Sequence, residues 1–102
     1  MADSDPVQRA TAAALRLLSY RPRSVAEIRA RLRRRFSTEV VDRVVQELSE
    51  SDFVDDARFA QMWRDSRDSL SPRSAAAIRR ELVAKGVARD TAEGAVSDID
   101  DG

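Results

Sequence analysis

The chain has 102 residues, 18 of them basic and 18 acidic, with no histidine and no cysteine. That length suits one ordinary domain, or two modules of about fifty residues that each sit near the lower limit for a self-sufficient core. The missing cysteine and histidine exclude disulfides, thiolate metal sites and haem ligation, and they remove the familiar nucleophile–base pairs of covalent catalysis. No hydrophobic run approaches the length of a membrane span, and the start MADSDPVQ lacks both the basic and the apolar part of a signal peptide. A soluble cytoplasmic protein is expected, with no cofactor, no metal, no membrane contact and no small-molecule substrate.

Apolar spacing makes nearly every segment helical. A first helix over about Val7–Leu18 places Ala10, Ala14, Leu17 and Leu18 on one stripe and stops before Pro22. Ser24-Val-Ala-Glu27 fits a capping box, and Val25, Ile28 and Leu32 follow on one face of a second helix. The third begins near Ser37 or Thr38 and carries Val40, Val41, Val44, Val45 and Leu48; these β-branched residues recur at helical spacing, not every second position. Asp55 or Asp56 caps a fourth helix with Phe59, Met62, Trp63 and Ser66 inward. Ser71-Pro-Arg-Ser74 opens a fifth, which buries Ala75, Ile78 and Leu82 and ends at Lys85-Gly86, the glycine suiting a left-handed position. The last helix, from Asp90 or Thr91 through Ala92, Ala95, Val96 and Ile99, is expected to be weak, because Gly94 lies inside it and its apolar residues are small.

Two of these stretches are one segment written twice. Ser19–Arg35 and Ser69–Lys85, fifty positions apart, agree at eight of seventeen positions without a gap. A repeat of this length is usually one supersecondary unit that buries its apolar face against a neighbour. The expected fold class is therefore all-α, with tandem three-helix modules forming an elongated helical-repeat body. We place the boundary at 52/53: residues 1–52 form the first module behind a short disordered N-terminus, and residues 53–102 form the second, with an acidic C-terminal tail.

Zero net charge hides segregation. The stretch Arg21–Arg35 carries +6 and Glu39–Asp56 carries −6, so adjacent helices bear opposite signs. Solvated helix faces and helix-end complementation account for such runs as well as a partner surface does. Catalytic equipment is absent: Asp55 and Asp56 are adjacent and do not face one another, and Lys85, the sole lysine, closes a helix. Phe59 and Trp63 stand one turn apart and are read as core rather than as a base-stacking platform. The candidate contact residues are Arg29, Arg33 and Arg34 on the second helix and Arg73, Arg79 and Arg80 on its copy, with Arg64 and Arg67 behind them. A cationic helix repeated at a fixed offset suits a linear polyanion or a repeating acidic protein surface.

Several motifs carry a resemblance. Ala14-Leu-Arg-Leu-Leu-Ser-Tyr-Arg-Pro-Arg-Ser24, Ile28-x-x-x-Leu32, Val44-x-x-x-Leu48 and above all Phe53-Val-Asp-Asp-Ala-Arg-Phe-Ala60 resemble the first two repeats of the RecX family of recombinase regulators. Pro72-Arg-Ser-x-x-x-Ile-Arg-Arg-Glu-Leu-Val-Ala-Lys-Gly-Val87 is similar to the family's second-repeat segment, so the likeness runs from about Ala10 to Ile99. It implies a non-enzymatic regulator of DNA recombination and repair that binds along a RecA-type recombinase filament on DNA, bridges its protomers, and suppresses strand exchange and ATPase activity. Members usually carry a third repeat, so the chain reads as a short member, a fragment or a diverged copy. Direct, weak DNA binding stays open. The alternative is a small sequence-tolerant DNA-binding protein of helix-turn-helix type, opposed by the neutral charge and by the lack of Asn, Gln and Arg clustered at a helix start. A third class, a helical adaptor for another protein, would depend on neither recombinase nor DNA.

Overall fold

The computed structural model describes residues 5–70 and 74–99, with backbone alone for residues 68–70. Among these residues all regular structure is helical: α1 (Pro6–Tyr20), α2 (Val25–Leu32), α3 (Thr38–Glu50), α4 (Asp56–Leu70), α5 (Ala75–Ala84) and α6 (Arg89–Val96). The chain divides into two compact units between Val54 and Asp55, two residues beyond the boundary placed from sequence. Val54 is why: its side chain is buried in the first core. The proposed disordered start and the end of the acidic tail lie largely outside the described residues, as do Ser71, Pro72 and Arg73.

In the first unit Asp5 caps α1, its carboxylate accepting from the Val7 N–H at 2.9 Å, with Pro6 opening the helix where its missing donor costs nothing. The helix therefore begins one residue before, and ends two after, the expected Val7–Leu18. Ala10 and Ala14 are buried, and Leu17 and Leu18 pack partly buried beside them. The capping box forms in full. Glu27 N–H donates to Ser24 Oγ and Ser24 N–H donates to Glu27 Oε1, both at 3.1 Å, so a hydroxyl with no solvent exposure is satisfied. Ile28 and Leu32 on α2 meet Val41, Val44, Val45 and Leu48 on α3 in one core.

Having no glycine, α2 ends through the turn Arg33–Phe36 without a left-handed residue, and Phe36 N–H returns to the Leu32 carbonyl at 2.9 Å. The left-handed residue of this unit sits elsewhere. Asp52 has φ 61°, and Phe53 N–H bonds the Leu48 carbonyl at 2.9 Å, which is the Schellman ending of α3.

The second unit restates the plan. Asp55, not Asp56, is the cap of α4, accepting from Ala57 and Arg58 at 2.9 and 3.1 Å. Phe59 is buried and Met62 and Trp63 pack beside it, but Ser66 is exposed; Ala60, adjacent to Phe59, is fully buried. Ser74 caps α5, which buries Ala75, Ile78 and Leu82. Gly86, at φ 90°, closes it as another Schellman motif, with Val87 N–H on the Leu82 carbonyl at 3.1 Å and both side chains buried.

The last helix departs from expectation. It starts at Arg89 behind Ala88, whose side chain makes no capping bond, while Asp90 lies in the first turn, where a carboxylate favours the exposed amide dipoles. It is not loosely held either: Ala92, Ala95 and Val96 are buried against α4 and α5, because small residues let the helix approach the bulky Phe59 closely.

Candidate functional site

The first two helices of each unit align in sequence at an offset of fifty, with α1 and α4 both fifteen-residue helices beginning at Pro6 and Asp56 and α2 and α5 beginning at Val25 and Ala75, while the third helices align at fifty-one. The offset sorts the candidate arginines by what each touches. Arg29 and its copy Arg79 both clamp the second helix of their unit to the third: Arg29 Nη1 pairs with Asp42 Oδ1, and Arg79 Nη1 pairs with Glu93 Oε1 at 3.0 Å. The repeated arginine is thus part of a repeated internal joint.

Arg64 and Arg67 are also tied inward. Arg64 Nη1 donates to Asp98 Oδ1 at 2.7 Å, and that hydrogen bond holds the Asp98 carboxyl below its usual range. Arg67 Nε donates to Glu81 Oε1 at 3.2 Å and its guanidinium lies 4.8 Å from the Trp63 ring centre. Arg33, Arg34 and Arg80, by contrast, are exposed and make no ion pair among the described residues. Arg73 lies outside the described residues.

Two concave surfaces collect cations. In the first unit a groove of about 520 Å³ between α1 and the end of α2 is rimmed by Arg9, Arg16, Arg31, Arg34 and Arg35, over a floor that includes Ala13, Leu17 and Phe36. None of its lining residues is acidic. Arg35 stands 5.5 Å over the Phe36 ring. In the second unit a depression of about 440 Å³ is lined by Arg79, Arg80 and Arg89 around Val83 and Ala84. Apart from Arg34, Arg79 and Arg80, these lining arginines were not candidates from sequence. A signal was there in the seven-residue spacing of Arg9 and Arg16, which stacks both on one face of α1, and in the four-residue spacing of Arg31 and Arg35. Neither surface carries a nucleophile or base; both are built to attract negative charge and bury some apolar area.

Known proteins place this architecture. A family model described as "RecX, first three-helix domain" matches residues 10–48, and one described as "RecX, second three-helix domain" matches residues 55–96. The chain belongs to the RecX family. It is 39% identical over 99 residues to the regulatory protein RecX of Thermobifida fusca, covering 96% of this chain and 54% of that protein. It is 40% identical over 96 residues to the regulatory protein RecX of Mycobacterium marinum, covering 93% of this chain and 56% of the relative. The chain thus spans about half the length of the curated RecX proteins it matches. In fold it matches the crystal structure of RecX from Lactobacillus salivarius with a TM-score of 0.88 at 24% identity, covering 92% of this chain and 62% of the other. These relatives are named as regulatory proteins, in keeping with two helical modules that present charged surfaces. Among the described residues no helix is long and apolar enough to cross a membrane.

Proposed function

We propose that the chain is a non-enzymatic cytoplasmic regulator that binds a RecA-type recombinase filament on DNA and lowers its ATPase and strand-exchange rates. The observation that carries this reading is the pair of RecX matches, one on each module. Each module also presents a concave arginine-lined surface, and two linked sites raise effective concentration on a partner that repeats the same acidic surface. Arg33, Arg34 and Arg80 are the proposed direct contacts; Arg73 joins them as a proposal from the sequence alone, since its counterpart in the repeat, Arg23, donates inward to the Leu17 carbonyl at 3.2 Å. Arg29, Arg79, Arg64 and Arg67 act as positioning residues that hold their helices in place.

The test is the DNA-dependent ATPase rate of the cognate RecA-type recombinase on single-stranded DNA, titrated with the protein at about 0.15 M salt, where long-range nonspecific attraction is screened. A saturable fall in rate is expected at substoichiometric ratios. An Arg33→Glu, Arg34→Glu, Arg80→Glu variant should weaken it by about tenfold or more, through loss of charge complementarity. No fall up to a large excess would overturn the reading. Tight binding to DNA alone, with no dependence on recombinase, would replace it with sequence-tolerant DNA binding.

A further inference from the structure

The groove of the first unit has a filled counterpart in the second. The fifty-residue offset carries Ala13 to Trp63, Leu17 to Arg67, Arg31 to Glu81 and Arg35 to Lys85. In the second unit these four residues form one cluster. Trp63 Nε1 donates to Glu81 Oε1 at 2.9 Å, Lys85 Nζ lies 4.5 Å from the ring centre, and Arg67 bridges to both Glu81 and the ring. The space between the first two helices there is occupied by an indole flanked by cations and hydrogen-bonded to a carboxylate. In the first unit the indole is replaced by the methyl of Ala13 and the carboxylate by the guanidinium of Arg31, and a groove of about 520 Å³ stands open.

From this we propose that the first unit's groove binds a protein segment in which an aromatic side chain is flanked by carboxylates, so that a partner supplies in trans what Trp63 and Glu81 supply within the second unit. The ring enters over Ala13, Leu17 and Phe36, taking the place the indole takes in the copy. The carboxylates meet Arg16, Arg31, Arg34 and Arg35, which are exposed and converge on a surface with no acidic residue in its lining. An aliphatic anchor would fill the volume but forgo the attraction between guanidinium and ring face. An acidic segment without an anchor would leave the apolar floor wet and its binding steeply salt-dependent. This inference concerns the same groove as the recombinase reading and shares Arg34 with it, but its test uses a peptide and no filament, so the two can fail separately.

The probe is a short synthetic peptide with one phenylalanine flanked on each side by aspartates, titrated into the full chain at about 0.15 M salt and followed by amide chemical shifts and calorimetry. Saturable binding is expected, with the largest shifts at Ala12, Ala13, Leu17 and Phe36. Replacing the peptide phenylalanine with alanine should weaken binding by about tenfold, as should Arg31→Glu in the protein, each removing an anchor of the interface. Ala13→Trp should close the groove and abolish binding while leaving the charges in place. If that variant does not fold, the exposed Arg31→Glu still decides the matter. Absence of binding, shifts confined to other surfaces, or equal affinity for the alanine peptide would each overturn the proposal. So would an oligothymidylate that displaced the peptide at lower concentration, which would make the groove a nucleic-acid site.

Discussion

The two units use one joint and two cores. Both open the first helix on an aspartate cap, Asp5 or Asp55, and the second on a serine cap, Ser24 or Ser74, and both join the second helix to the core through a buried isoleucine and leucine one turn apart, Ile28 and Leu32 or Ile78 and Leu82. What differs is how volume is divided between the first and third helices. Small Ala10 and Ala14 on α1 face the valines and leucine of α3, whereas Phe59 on α4 faces Ala92 and Ala95 on α6. A close-packed interior fixes the sum of facing volumes and leaves the partition free. Duplication can therefore preserve a joint while its surroundings drift, and the groove left open over Ala13 but filled over Trp63 is one product of that freedom.

The shared joint predicts the largest effects. Ile28→Ala and Ile78→Ala should each cost about 2–5 kcal/mol in urea unfolding, because both side chains have no exposure and neither site can collapse without moving two helices. Similar losses would support a common joint; a loss under about 1 kcal/mol at either site would show that the second unit's joint is packed differently from the first. The partition of volume is tested next. Ala92→Leu should cost about 1–3 kcal/mol by overpacking against α4, whereas a neutral result would mean that α6 has room to spare and that the exchange of volumes is not what sets its approach.

Caps sharpen the comparison further. Ser24 is fully buried and answered by Glu27, while the copy Ser74 is exposed and has Ala77 where the reciprocal glutamate would stand. Ser24→Ala should cost about 2 kcal/mol and Ser74→Ala about 1 kcal/mol or less, read from thermal melts. Equal costs would mean that burial adds nothing to a cap.

Much of this was legible in the sequence because it rests on local rules. The capping box of Ser24 and Glu27, the stripe Val41, Val44, Val45 and Leu48, and the left-handed Gly86 each follow from residues within one or two turns. Losses came where tertiary packing overrode local pattern. Ser66 falls at an acceptable inward spacing from Phe59 and Met62, yet it is exposed, whereas Ala60 on the Phe59 side of α4 is fully buried. Gly94 and a run of alanines read as weakness, although small residues are what let α6 pack tightly. For the candidate surfaces, the arginine-rich second helix and its copy line part of both concave patches. Which arginines are committed to internal pairs depended on Asp42, Glu93, Asp98 and Glu81, thirteen or more positions away, and sequence spacing does not fix such partners. Asp52 was missed because a left-handed aspartate leaves no mark as plain as glycine's.

The smallest expected effects set two glycines of the second unit against each other. Gly86 occupies φ 90°, where a Cβ is strained, so Gly86→Ala should lower stability by about 1 kcal/mol. Gly94 lies inside α6 in helical backbone, and a Cβ built there meets nothing within 4 Å. Gly94→Ala should therefore raise stability by about 0.5–1 kcal/mol, chiefly by restricting the unfolded chain, and raise the melting temperature by a few degrees. The sign is the informative part. A gain fits a helix already docked through Ala92, Ala95 and Val96, with a surface position left unoptimised. A loss would mean that the bare backbone at Gly94 is itself in use, and the exposed side of α6 would then become the first place to look for a surface that must stay close to something else.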